Sequence, residues 1–182
     1  MFKPLTALAL AGGAFIAAAP AAHADPITVG QWYTFGFGGL GSSIGNGTGF
    51  FLGANPASIA APDAPFTFTL AGPGELLVSD GFIAGDQFEI FDFGVSIGST
   101  SVPFGAGTCG SDITACFASP NISSGVFALA AGNYSITGTV IASFSGGAGF
   151  LLVRDVDVVP APAAIALFGL GLLGLGFARR AR

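Results

Sequence analysis

The chain has 182 residues, of which 52% are hydrophobic and 8% charged, and its formal net charge is −5. The long apolar runs lie at the two ends, so the overall composition does not describe the part between them. Between Asp25 and Val159 lie all ten acidic residues of the chain and only one basic residue, Arg154. Because this part of the chain has no basic patch to face a phosphate backbone, its charge excludes nucleic acid as a partner.

The first 24 residues have the features of a secretion signal. Lys3 gives a short positive region, an apolar run follows from Leu5 to Ala19, and Ala22-His23-Ala24 places small residues at the cleavage positions. The alternative, a membrane-spanning helix, is disfavoured because Pro20 follows the apolar run too soon. We expect signal peptidase to cleave before Asp25, so that the mature chain is exported across the inner membrane of a Gram-negative-type bacterium.

Residues 25–158 have the length of one domain with a modest core. Short segments in which apolar and polar residues alternate, separated by Gly, Pro, Asn and Asp, predict strands rather than helices. The predicted strands are Ile27 to Phe37, Phe66 to Leu70, Glu75 to Ser79, Gln87 to Asp92, Phe93 to Ile97, Val126 to Ala130, Tyr134 to Val140 and Gly149 to Val153. This number and spacing predict an all-β fold, a single antiparallel β-sandwich or jelly roll.

Trp32 and Tyr33 are candidates for a sugar-binding platform, because carbohydrate recognition uses aromatic rings for stacking. Exposure of the two rings side by side on one sheet would support a carbohydrate-binding module for exopolysaccharide. The other interpretation places one ring in the core and the other at its rim.

Two segments, Gly36 to Ala64 and Ser99 to Ser124, are predicted to be long surface loops. The first begins with Gly36-Phe37-Gly38-Gly39-Leu40-Gly41, which formally matches a dinucleotide-binding fingerprint. Gly, Ser and Asn follow it where that site needs the start of a helix, so we interpret it as a glycine-rich loop and expect no cofactor.

Cys109 and Cys116 lie in the exported part of the chain, where a disulfide persists. We expect them to pair and to close a short loop, which stabilises the fold by about 2.5 kcal/mol in the chain-entropy account.

The acidic residues are the remaining candidates for chemistry. Because His23 and Lys3 are lost with the signal, a two-carboxylate hydrolase is the enzyme class left open, with Asp80, Asp86, Glu89 and Asp92 as its candidates. Asp80 and Asp86 are also weak candidates for calcium ligands. Both flank turn glycines, so solvated structural roles explain them, and we predict that the protein is not an enzyme and holds no metal.

The C-terminal segment has the features of a membrane-sorting tail. Residues 161–178 carry no charge and give about 27 Å of helix, enough to span a bilayer core. Arg179, Arg180 and Arg182 follow and are expected to stay in the cytoplasm. We therefore predict a transmembrane helix at 161–178 and a basic tail at 179–182.

The segment from Val159-Pro160-Ala161-Pro162 through the glycine-studded helix to the terminal arginines resembles the PEP-CTERM sorting signal, with Ala161 in place of the usual glutamate. The resemblance covers residues 159–182 and implies transient anchoring in the inner membrane, then cleavage near the motif by exosortase. Retention in the membrane is the alternative. The stretches Leu77 to Ile90 and Asn121 to Ile136 look similar to a recurrent uncharacterised domain of PEP-CTERM proteins.

Together these features predict a structural protein of the cell surface or of an extracellular exopolysaccharide (biofilm) matrix, processed by signal peptidase and exosortase. Its acidic domain favours solubility and cation bridging.

Overall fold

The computed structural model describes residues 25–47, 54–143 and 145–156. The predicted signal peptide, with Ala22 and Ala24, lies outside these residues, and so do the motif Val159-Pro160-Ala161-Pro162, the predicted helix at 161–178 and the terminal cluster of Arg179, Arg180 and Arg182. Within the described ranges, no helix has the length and apolar character needed to cross a membrane.

The described chain forms thirteen strands and one short helix. In the first half the strands are β1 (Asp25–Pro26), β2 (Trp32–Phe37), β3 (Ile44–Gly45), β4 (Ser58–Ala60), β5 (Phe66–Leu70), β6 (Gly74–Asp80) and β7 (Phe82–Ile83). The second half contains β8 (Gln87–Asp92), β9 (Val95–Ser99), β10 (Thr108–Gly110), the helix α1 (Ile113–Ala118), β11 (Ser124–Leu129), β12 (Gly132–Ala142) and β13 (Gly147–Asp155).

Two main sheets carry the fold. Sheet A has the strand order β1-β5-β12-β8-β9, and sheet B has the order β11-β6-β13-β2-β3, with β4 also paired to β2. The pairings are antiparallel except for the short β1–β5 and β2–β4 ladders, which are parallel. A small separate ladder joins β7 to β10. The predicted all-β sandwich is confirmed.

Phenylalanine side chains join the two sheets. Phe35 and Phe37 on sheet B pack edge-to-face against Phe88 on sheet A, with ring centroids 5.3 Å and 4.9 Å apart. The inward residues of β12 and β13, such as Ile136 and Leu151, are buried in the same cluster. These contacts follow from the alternation of apolar and polar residues, because every second side chain of a strand points to the same face.

The outer face of sheet B is covered by the segment around α1. A second apolar cluster forms there, in which Phe150 of β13 packs with Ile113, Cys116 and Ile122. Cys109 and Cys116 form the expected disulfide. The predicted loop from Ser99 to Ser124 is therefore partly structured, with a six-residue helix that begins at an Asp112 side chain accepting a hydrogen bond from the Ala115 backbone N–H at 2.9 Å.

The predicted strand Phe93 to Ile97 is displaced. Phe93 and Gly94 instead form the two-residue turn between β8 and β9, with Asp92 opposite Val95 and with φ angles of +45° and +79°. Such turns usually contain Asn or Gly, so an apolar Phe in this position gave no turn signal in the sequence.

Candidate functional site

The two ends of the sandwich are distinguished by strand β13. It begins at Gly147, with Gly149 opposite Asp80, and it ends at Asp155 opposite Gly74. The backbone N–H of Val156 then donates to the Pro73 carbonyl at 3.0 Å, and the chain continues from there toward the sorting tail. The distal end is the opposite one, where β6 ends and β13 begins, about 25–30 Å away along the strand.

Asp80 lies at the distal end and is fully buried. Its Oδ1 accepts a hydrogen bond from the Gly81 backbone N–H at 2.8 Å, and its Oδ2 accepts one from the Asp86 backbone N–H at 3.2 Å. The carboxylate therefore ties together both ends of the segment from Gly81 to Asp86, which includes β7. The solvated turn role expected for Asp80 is wrong, because strand β6 carries this residue into the packed end of the sandwich.

Asp86 is the charged neighbour of Asp80. Burial first, and then the negative charge of Asp86, raise the pKa of Asp80 to about 7, although the backbone hydrogen bonds from Asp86, Gly81 and Gly85 lower it. Burial also raises the pKa of Asp86, against the effect of a hydrogen bond with Ser143. The Oδ1 atom of Asp86 is buried and has no hydrogen-bond partner among the described residues.

The pair offers little to a cation. Within the described residues, no group of three or more His, Cys, Asp or Glu side chains comes together. Both oxygens of Asp80 already accept backbone hydrogen bonds, whereas calcium takes roughly six to eight oxygen ligands. The contacts of Asp80 and Asp86 favour a structural role for the pair over the weakly predicted calcium site.

The other predicted acids lie elsewhere. Glu89 accepts a hydrogen bond from Ser96 Oγ at 2.8 Å, and Asp92 Oδ1 accepts one from the Ser135 backbone N–H at 3.0 Å. A cleft of about 350 Å³ at the distal end is lined by Asp86, whereas Asp80 is fully buried. Of the four candidates for a carboxylate hydrolase, Asp80 and Asp86 lie together at the distal end. Glu89 and Asp92 make separate structural contacts elsewhere.

An apolar groove of about 930 Å³ also opens at the distal end. Its lining includes Leu40, Ile83 and Val102, whose exposed fractions are 71%, 70% and 74%, together with Ile141 and Pro103. This groove was not predicted from the sequence. The available signal was the presence of apolar residues in segments predicted to be loops, but loop position alone does not show that such residues meet.

Trp32 and Tyr33 do not form the candidate aromatic platform. Trp32 and Tyr33 are neighbours on β2 and therefore point to opposite faces of sheet B. Tyr33 is buried in the main core, where its hydroxyl accepts a hydrogen bond from the Thr28 backbone N–H at 2.8 Å. Trp32 is half-buried under α1, with its ring centroid 5.7 Å from that of Phe117. The interpretation that places one ring in the core and the other at its rim therefore describes these two residues.

Comparison with known proteins identifies the tail. The family model described as the PEP-CTERM protein-sorting motif matches residues 158–182. No curated protein and no solved structure matches the chain. The match confirms the resemblance seen in the tail and implies an exported surface protein that is processed by an exosortase. The match does not extend to the sandwich.

Proposed function

We propose that this chain, which carries a PEP-CTERM protein-sorting motif, is a non-enzymatic structural protein of the cell surface or of an extracellular exopolysaccharide matrix. The observation that carries the proposal is the position of the motif. The motif follows directly after β13, the last strand of the sandwich. The tail is therefore joined at one end of the sandwich, and the distal end points away from it.

The domain suits a compartment outside the cytoplasm. Its two cysteines form a disulfide, which such a compartment preserves, and its core is a continuous cluster that includes both sheets. The acidic surface keeps the domain soluble at high local concentration and repels other anions. These properties favour a durable component of the envelope or matrix, transiently anchored in the inner membrane and then moved outward.

The alternative of a carbohydrate-binding module loses its first basis, because Trp32 and Tyr33 provide no shared surface. A carbohydrate role therefore has to rest on a different face of the sandwich. The hydrogen bonds of Asp80 and Asp92 disfavour the hydrolase alternative, because both carboxylates accept backbone N–H groups and hold backbone segments in place.

Fractionation and intact-mass analysis of the protein from its own cells test the sorting proposal, in strains with and without a functional exosortase. We expect a mature form that begins at Asp25 and ends near Pro160 in the surface or extracellular fraction, and an unprocessed tail in the membrane fraction of the exosortase-deficient strain. An intact tail held in the membrane of both strains would instead establish a permanently anchored protein and overturn the proposal.

A further inference from the structure

The outer face of sheet A carries a row of small polar side chains. Thr67 and Thr69 of β5 lie opposite Ser135 and Asn133 of β12, and all four alternate with inward residues of the main core. Thr69 and Asn133 are exposed, and Thr67 and Ser135 are half-buried. Unlike the outer face of sheet B, which packs against the α1 segment, this face presents hydroxyl and amide groups to solvent.

A shallow groove of about 580 Å³ lies along this row. Its lining includes Pro26, Thr67, Thr69, Phe93, Asn133 and Ser135, and none of its lining side chains is charged. Thr69 Oγ1 donates a hydrogen bond to Asn133 Oδ1 at 2.7 Å. With its oxygen engaged in this way, the Asn133 amide still offers its Nδ2 donors to a ligand.

Phe93 forms one wall of the groove in an unfavourable backbone conformation. Its φ of +45° is one that bulky side chains rarely adopt, and its side chain is 67% exposed. Phe82 also has a positive φ, but it is half-buried against the second apolar cluster, with its ring centroid 6.1 Å from that of Phe150, so packing offsets the strain there. The exposed ring of Phe93 gains no comparable packing, so its conformation points to a role outside the fold itself.

We infer that this face binds a neutral polysaccharide, with the Phe93 ring stacked on a sugar and the polar row of Thr67, Thr69, Asn133 and Ser135 hydrogen-bonded to its hydroxyls. A flat ring beside a few hydroxyl and amide groups is the combination that fixes and orients a sugar. The uncharged lining and the acidic domain around it favour an uncharged polymer over an anionic one. The inference deepens the proposed matrix role and rests on it.

Affinity electrophoresis of the protein isolated from the exporting bacterium tests this inference. The native gels contain dextran, laminarin or hydroxyethylcellulose as neutral polymers, and alginate as the anionic counterpart. We expect at least one neutral polymer to retard the protein and alginate to leave its mobility unchanged.

Phe93→Asn is the decisive variant, because Asn suits this turn and should keep or raise the thermal midpoint of unfolding. We expect its affinity for the retarding polymer to fall about tenfold. Phe104→Asn is the matched control, since Phe104 is 77% exposed in the loop after β9 and lies outside the groove, and its affinity should equal that of wild type. Thr67→Val, which removes one hydroxyl at constant shape, should also weaken binding.

Several results would overturn the inference: retardation by none of the neutral polymers, retardation by alginate alone, or a Phe93→Asn variant that binds as tightly as wild type. The sorting proposal fails separately. A protein that binds a neutral polymer but keeps an intact tail in the membrane refutes matrix export and leaves the binding face in place. A correctly processed, secreted protein that no polymer retards refutes the binding face alone.

Discussion

At the scale of single residues, Asp80 shows how a carboxylate can be central to a fold without being a catalyst. Its side chain is fully buried, and its two oxygens accept backbone hydrogen bonds from both ends of one loop. The same burial makes the negative charge unfavourable, so the folded protein holds a proton on Asp80 up to a pH near 7. The distal end therefore contains a group that titrates near neutral pH.

Asp80→Asn should flatten the pH dependence of stability. The pKa of Asp80 is about 7 when folded and near the ordinary 3.8 when unfolded, so between these values the folded state binds more protons and the free energy of unfolding falls as pH rises. We expect wild type to lose about 2 kcal/mol between pH 5 and pH 8 from this group, and the variant to lose only what Asp86, whose pKa burial also raises, contributes. Urea unfolding at a series of pH values measures the difference.

The matched control for this experiment is Asp63→Asn, a substitution at an exposed aspartate in the loop before β5. It should keep the pH dependence of wild type. If Asp80→Asn and wild type lose the same free energy of unfolding between pH 5 and pH 8, the assignment of the titration to Asp80 is wrong.

At the scale of elements, the disulfide segment acts as a cover for one face of sheet B. Cys116 is fully buried in the cluster beneath α1, and Phe117 of the same helix contacts Trp32 on β2. A helix of six residues has little stability of its own, so its position depends on the covalent link and on this packing. Trp32 is the single tryptophan of the chain, and its emission therefore reports on the cover.

Replacing both cysteines with alanine should loosen the cover and leave the sandwich folded. We expect the free energy of unfolding to fall by about 2–4 kcal/mol, of which loop closure accounts for about 2.5 kcal/mol. Trp32 fluorescence should shift to the red as its ring loses contact with Phe117, while far-UV circular dichroism keeps its β-sheet signal. Thr114→Ala, at an exposed position of the same helix, should change neither signal. Unchanged Trp32 emission in the double variant would show that the cover does not need the disulfide.

At the scale of the whole molecule, the charges of the chain are separated, with the acidic residues in the exported domain and a basic cluster at the C-terminus. Arg154 belongs to the domain and forms an ion pair with Glu75 at 2.6 Å, whereas Arg179, Arg180 and Arg182 lie within the sorting motif. Basic residues beside an apolar segment hold that end in the cytoplasm. We expect this asymmetry to set the orientation in which an exosortase would meet the motif.

Replacing Arg179, Arg180 and Arg182 together with glutamine should impair sorting without touching the domain. We expect the processed form ending near Pro160 to fall severalfold in the surface fraction and tail-bearing protein to increase, because the tail would lose the basic residues that are expected to hold it in the cytoplasm. Intact-mass analysis of the fractions measures both species. Arg154→Gln removes one positive charge from an exposed ion pair, costs less than about 1 kcal/mol, and should leave processing at the wild-type level. Normal processing of the triple variant would exclude a role for the arginines.

Much of the fold could be predicted from local pattern. The segments Phe66–Leu70 and Gln87–Asp92 have the strand bounds that their alternation indicated, because the period of two directly records which side chains point inward. The Cys109–Cys116 disulfide follows from two nearby cysteines in an exported segment, and the sorting tail is recognisable because its signal is linear in the chain. These features depend on near neighbours or on covalent order.

The tertiary structure alone decided which side chains are covered and which meet. Alternation placed Trp32 and Tyr33 on opposite faces, but the α1 segment that covers one face comes from about 80 residues later in the chain. The burial of Asp80 depends on how distant strands pair around β6, and the exposure of Phe93 in a strained turn depends on where β8 ends and β9 begins. The sequence by itself therefore determined the strand pattern, the disulfide and the sorting motif, whereas long-range packing decided which surfaces are available for binding.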